Sequence, residues 1–219
     1  MTSKLFLFDL DGTLLSVKNH RMWHIVDESL KSVGLHQEIH REKKFSGRTD
    51  HDIFQSYLNT EMKHQYNQLK LRYIELMQNE LKQEDVDLLD GAHEVANWIT
   101  QNEINWGLLT GNYELTGKLK VRNAGFPLEA SFGIFGDGFL DRTIMAAEAI
   151  TKANLHFPFD LSPESIVIIG DTPNDIRCAK ENQYLSVAVS SGCYSKQDLA
   201  EFQPDYLIDS LHELPALFS

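Results

Sequence analysis

The chain has 219 residues, 42% of them hydrophobic and 24% charged, which excludes a disordered or collagen-like polypeptide. That length suits one domain, or one domain with a modest insertion, and buries roughly 70% of its unfolded surface with no need of disulfides or structural metal. With 20 Lys and Arg against 32 Asp and Glu the formal net charge is -12, so no global positive field recruits nucleic acid or an anionic membrane, although a local basic site could still hold a small anion.

In chain order, the first element is the apolar run Leu5-Phe6-Leu7-Phe8, read as a strand buried on both faces. It is too short for a secretory leader, no segment approaches membrane-spanning length, and a cytoplasmic protein is expected. Cys178 and Cys193 form no CxxC or Cys/His cluster, so both are expected to be buried or idle thiols. The strand ends in Asp9-Leu10-Asp11-Gly12-Thr13. A calcium loop is excluded there, because Leu14 and His20 stand where Gly and Glu belong. Turn chemistry and a functional carboxylate pair both remain open for this motif taken alone.

From Leu14 to Asp87 the pattern reads as helices only. Met22, Val26, Leu30 and Val33 make one stripe; Ile53, Phe54, Tyr57 and Leu58 a second; Tyr66, Leu69, Tyr73, Leu76 and Met77 a third. This block is a smaller unit over 16–87, inserted between 1–15 and 88–219. His20 and His24 have the spacing of a zinc pair but lack the Glu of a metalloprotease helix, so they are expected on the helix surface or in lid packing. Lys18, Lys31, Lys43 and Lys44 are read as solvated.

Beyond 88, strands alternate with helices. The strands are expected at 104–109, 132–135, 166–169, 186–189 and 206–208, and the helices at 92–102, 114–124, 143–154 and 174–182. That alternation is the pattern of a doubly wound α/β parallel sheet, which holds its ligands at the carboxyl ends of its strands. Three further islands of chemistry fall at such ends. Thr110-Gly111-Asn112 offers a hydroxyl and backbone N–H groups, either for phosphate or as an ordinary capped loop. Arg142 opens a helix, where the dipole disfavours a cation, and Lys152 near that helix's end is the competing base. Gly170-Asp171-Thr172-Pro173-Asn174-Asp175 places one acid at a strand tip and another one turn into a helix, more carboxylates than capping requires.

Taken together and in order, these motifs resemble the haloacid dehalogenase (HAD) superfamily over essentially the whole chain. The subgroup resembled is the phosphoglycolate phosphatase-like one. Asp9–Thr13 is similar to its first motif, Thr110 to its second, Arg142 to a variant of its third, where Lys followed by Pro is commoner, and Gly170–Asp175 to its fourth. The resemblance implies a Rossmann-like core, a helical cap over 16–87 and a Mg²⁺-dependent phosphatase working through an aspartyl-phosphate. Asp9 would be the nucleophile, Asp11 the general acid and base, and Thr110 and Arg142 the groups holding the phosphoryl oxygens. Asp9, the backbone carbonyl of Asp11, and Asp171 would hold the metal, with Asp175 in support. Gly12, Thr13, Gly111 and Asn112 are expected around the phosphate, and Arg48, in Phe45-Ser46-Gly47-Arg48-Thr49-Asp50, at the substrate or paired with Asp50 or Asp52. The expected ligand is a small phosphorylated metabolite. A β-phosphoglucomutase-like transferase and a non-catalytic phosphometabolite-binding module are the alternatives.

Overall fold

The structure is a computed structural model that describes residues 4–36 and 45–218; Lys43 and Lys44 lie outside the described residues. Strand β1 (Leu5–Phe8) is the centre of a six-stranded parallel sheet, with β4 (Asn105–Thr110) and β5 (Gly133–Phe135) on one side. On the other lie β6 (Ile166–Gly170), β7 (Leu185–Val189) and β8 (Tyr206–Ile208), giving the order β5-β4-β1-β6-β7-β8. Leu5 pairs with Asn105 and Ile166, and Phe8 with Leu108 and Ile169, so β1 is hydrogen-bonded along both edges. Its side chains alternate between faces, as the two-residue period of a strand requires. Phe6 and Phe8 enter one apolar cluster with Val167 and Ile169, while Leu5 and Leu7 enter another with Ile166 and Ile168. That double burial is why these strands read as continuous apolar runs.

Helices α4 (Ala92–Gln101), α5 (Glu114–Ala124), α6 (Arg142–His156) and α7 (Pro173–Glu181) follow β3 (Val86–Leu88), β4, β5 and β6, and two short helices, α8 (Lys196–Ala200) and α9 (Leu214–Leu217), lie near the C-terminus. The chain order reverses across β1: it leaves toward β4 and later returns on the far side through β6. The carboxyl ends of β1, β4 and β6 therefore border one crevice, the usual ligand position in open α/β sheets.

The stretch expected to be helical throughout contains two strands at its margins. β2 (Leu15–Val17) pairs antiparallel with β3, setting Ser16 opposite Asp87. Strands of three residues are too short for an alternation to register in sequence. Between them lie α1 (Asn19–Lys31), α2 (Asp50–Tyr57) and α3 (Tyr66–Glu80), with α3 packed on both α1 and α5. Leu69, Tyr73, Ile74, Leu76 and Met77 are the buried face of α3, and Phe54 is the buried residue of α2. Phe54 meets Tyr73 at 4.8 Å and stacks 6.3 Å from Tyr113, which follows β4, so the inserted helices and the sheet share one apolar cluster. No helix among the described residues is long and apolar enough to cross a membrane.

Because Phe54 joins the two parts, Phe54→Ala is expected to destabilise the fold by about 3–5 kcal/mol, the usual cost of emptying a large buried aromatic position. Urea denaturation measures it; a loss under about 1 kcal/mol would mean that the joint carries little of the fold.

Candidate active site

Asp9 leaves the tip of β1 with its N–H donating to Ile169 O at 2.9 Å, and only 4% of the residue is exposed. The chain then folds back: Gly12 N donates to Leu15 O (2.8 Å) and Thr13 N to Leu10 O (3.1 Å). Gly12 has φ +91°, a left-handed conformation, and a Cβ on it would overlap the Asp171 carboxylate. Glycine is required there on both grounds. The N–H groups of Gly12 and Thr13 are thus committed within the loop rather than turned to a phosphate. These residues instead shape the bed of Asp171, whose Oδ1 accepts a hydrogen bond from Thr13 Oγ1 at 3.3 Å.

Asp171 follows β6, and Asp175 lies in the first turn of α7. Thr172 caps that helix and makes a reciprocal box with Asp175: Thr172 N and Oγ1 donate to Asp175 Oδ2 at 3.0 and 2.7 Å. The cap expected from sequence is real, but it occupies only one oxygen of Asp175. The other accepts from Arg142 Nη2 at 2.6 Å. The same Arg142 nitrogen lies 3.0 Å from Asp9 Oδ1 and 3.2 Å from Leu109 O. Arg142 is the first residue of α6 and is buried, whereas Lys152 is half-exposed and paired with Glu148. Of the two candidate bases, Arg142 is the one at the crevice. Its Nε is the only buried side-chain nitrogen or oxygen without a hydrogen-bond partner among the described residues.

One carboxylate oxygen each from Asp9, Asp171 and Asp175 fall within 4.8 Å of one another, and all three residues are buried. Burial pushes the Asp9 carboxyl up to about 6 against the pull of Arg142, with Asp175 and Asp11 adding to the rise. Asp171 is pushed well above the carboxylate range by burial and by the charges of Asp9 and Asp175. Three buried acids with one guanidinium leave the cluster short of positive charge. An all-oxygen donor set of this kind suits a hard divalent cation such as Mg²⁺.

The Asp11 side chain is turned out of that group. Lys120 Nζ donates to both its oxygens, at 2.9 and 2.7 Å, and Asn112 Nδ2 donates to Oδ2 at 2.7 Å. Thr110, at the end of β4, is fully buried, and its hydroxyl oxygen accepts from Asn112 N (3.3 Å) and Nδ2 (2.8 Å), leaving its own proton to donate. Gly111 passes beneath the insert, where a Cβ would run into Arg48 O. Arg48 itself pairs with Asp52 through Nε at 2.6 Å. Around it, Asp50 N donates to Gly111 O (2.8 Å), Asn174 Nδ2 to Gly47 O (3.0 Å) and Thr49 Oγ1 to Phe139 O (2.5 Å). The segment from Gly47 to Asp50 therefore lies across the residues that follow Thr110 and Asp171.

Two site residues escaped the sequence reading. Lys120 is a charge on the buried face of α5, visible only once the face is known. Asp50 begins α2, accepts from Tyr113 N at 3.0 Å, and is pushed up to about 6 by burial, opposed by the charge of Lys120. A cavity of about 650 Å³ lies elsewhere, beside α5 and the loop after it, lined by Leu115, Leu119, Arg122 and Phe126 among others. None of the clustered acids lines it.

With this geometry established, comparison with known proteins gives consistent likenesses. A profile of the haloacid dehalogenase-like hydrolase family matches residues 6–189. A phosphoglycolate phosphatase of Nitrosococcus oceani is 26% identical over 140 residues, 60% of this chain and 57% of that protein. A Clostridium perfringens protein provisionally named pyrophosphatase PpaX is 25% identical over 217 residues, 96% of this chain and 95% of that one. The crystal structure of CbbY from Rhodobacter sphaeroides in complex with phosphate superposes with a TM-score of 0.72 at 20% identity, covering 97% of this chain and 96% of that one.

A folded-state pKa of about 6 for Asp9, against an ordinary 3.8, means the folded protein keeps a proton that the unfolded chain has released between those values. Stability from this group therefore falls as pH rises through that window. In chelator, Asp9→Asn is expected to match wild type near pH 4 and to exceed it by on the order of 2 kcal/mol at pH 7. Thermal denaturation at both pH values checks this, and an Asn variant less stable than wild type at pH 7 contradicts it.

Proposed function

The chain belongs to the haloacid dehalogenase-like hydrolases, and from that membership we propose that it is a phosphatase hydrolysing a small phosphomonoester through an aspartyl-phosphate at Asp9. The observation that carries the reading is the buried group Asp9, Asp171 and Asp175 bridged by Arg142 at the carboxyl ends of β1 and β6. A carboxylate nucleophile divides one difficult displacement into two easier ones. Its approach to a phosphate dianion is opposed by about 4 kcal/mol for two unit charges 4 Å apart at an effective dielectric of 20. Mg²⁺, held by Asp9, Asp171 and the carbonyl of Asp11 with Asp175 in support, would neutralise that repulsion.

Arg142 fixes the Asp9 oxygen it touches and leaves the other to attack phosphorus. Its unpartnered Nε–H is a buried donor that a phosphoryl oxygen would satisfy. The Thr110 hydroxyl donates to a second phosphoryl oxygen, beside Gly111 and Asn112. Asp11 protonates the leaving oxygen, then takes a proton from the water that releases phosphate from Asp9. The more exposed, outward position of Asp11 supports that role, since a leaving group must reach it.

The insert over 16–87 acts in this reading as a lid. Its Gly47–Asp50 segment keeps bulk water from the aspartyl-phosphate and must move for substrate to enter. Arg48 contacts the leaving group after giving up Asp52. The names of the two relatives, a phosphoglycolate phosphatase and a pyrophosphatase, support phosphorylated metabolites as the substrate class.

The test is a panel of small phosphomonoesters, phosphoglycolate included, assayed with Mg²⁺ and with chelator. Wild type is expected to require Mg²⁺, and Asp9→Asn to lose about 10³-fold or more in kcat, as when a covalent nucleophile is removed. Hydrolysis that survives in Asp9→Asn contradicts the assignment.

A further inference from the structure

Lys120 has a cost that nothing in the packing of α5 explains. It is 3% exposed, on the face that also buries Thr116, Gly117 and Leu119. An ammonium group taken out of water is destabilising unless its donors are met, and a Leu or Met would fill the position without that cost. Lysine has three N–H donors, and three oxygens meet them: Asp11 Oδ1 at 2.9 Å, Asp11 Oδ2 at 2.7 Å and Asn112 Oδ1 at 2.6 Å. With its oxygen turned to Lys120, the Asn112 amide directs its NH₂ group to Asp11 Oδ2 (2.7 Å) and Thr110 Oγ1 (2.8 Å). The three side chains close a ring that also ties Asp11 to the buried hydroxyl of Thr110.

The anchored carboxylate is not sealed in. The Lys120 side chain is 4% exposed and that of Asp11 is 41% exposed. Asp11 is thus fastened through both oxygens to a buried cation while its side chain stays accessible to an incoming group. Asp50 of the insert lies within the field of the same ammonium, so α2 brings a second acid to Lys120 without replacing it on Asp11.

From this juxtaposition we infer that Lys120 is a positioning residue for the proton-transfer carboxylate: with Asn112 it sets where Asp11 stands relative to the leaving-group oxygen. The inference rests on the reading of Asp11 as general acid and base. In the first half-reaction an Asp9 oxygen bonds to phosphorus as the ester P–O bond breaks, and the Asp11 proton passes to the departing oxygen. In the second, a water oxygen bonds to phosphorus as the Asp9–phosphorus bond breaks, and the water's proton returns to Asp11. Lys120 gains and loses no proton in either half; it keeps Asp11 in one place through both.

Leaving-group dependence tests this. An alkoxide departs poorly unless protonated, whereas p-nitrophenolate departs without help. Phosphoglycolate and p-nitrophenyl phosphate are therefore assayed with Mg²⁺ on wild type, Lys120→Met and Asp11→Asn. The ratio of the two kcat values is independent of how much of a variant is folded. For Lys120→Met the alkyl-to-aryl ratio is expected to fall by about 10²-fold, the lower range for a general acid. Its KM for phosphoglycolate should stay within about threefold, because binding is not what Lys120 supports. The same fall is expected for Asp11→Asn. A normal fall in Asp11→Asn with an unchanged ratio in Lys120→Met overturns the role of Lys120 alone. An unchanged ratio in Asp11→Asn overturns the reading of Asp11 and this inference with it.

Discussion

Arg142 Nη2 stands between Asp175 and Asp9, at 2.6 and 3.0 Å, and the rest of the site depends on that bridge. Three buried carboxylates within 4.8 Å would repel one another in a medium that screens poorly. One guanidinium offsets part of that repulsion, enough for the loops to close around the cluster but too little to neutralise it. The remaining deficit is what the proposed cation would meet. The bridge also explains why a cation opens α6 despite the helix dipole: Arg142 answers to the acids of β1 and α7 rather than to its own helix.

The position of each group follows from the sheet. β1 and β6 are neighbours, so Asp9 and Asp171 emerge side by side, and β4 on the other edge of β1 brings Thr110 to the same crevice. The insert leaves the chain directly after the first motif and returns through the β2–β3 pair. Its Gly47–Asp50 segment thereby reaches the loop after β4 and the first turn of α7 at once, through Gly111 and Asn174.

Much of the fold was legible in the sequence because burial on both faces leaves a plain trace: runs such as Leu5–Phe8 and Ile166–Ile169 are apolar without interruption. The acids of the site were legible for the opposite reason, as charges placed directly after such runs. β2 and β3 were not, since three residues carry no period. Lys120 and Asp50 were hidden because a charge on a helix ordinarily reads as solvated, and only the packing of α5 and α2 turns these two inward. Arg48 stood in the sequence as a substrate contact or a surface pair, and the structure pairs it with Asp52. Gly12 and Thr13 were expected to cradle phosphate, but their N–H groups are spent within a turn whose outer edge seats Asp171.

The central claim is that the bridged and buried Asp9 is the group that bonds to phosphorus. It is tested most directly by quenching the enzyme with substrate and Mg²⁺ during turnover, reducing with borohydride and mapping the peptides by mass spectrometry. An aspartyl-phosphate is reduced to homoserine, so conversion at position 9, dependent on substrate, is the predicted result. Turnover with no conversion at Asp9, or with conversion at another acid, would contradict the account.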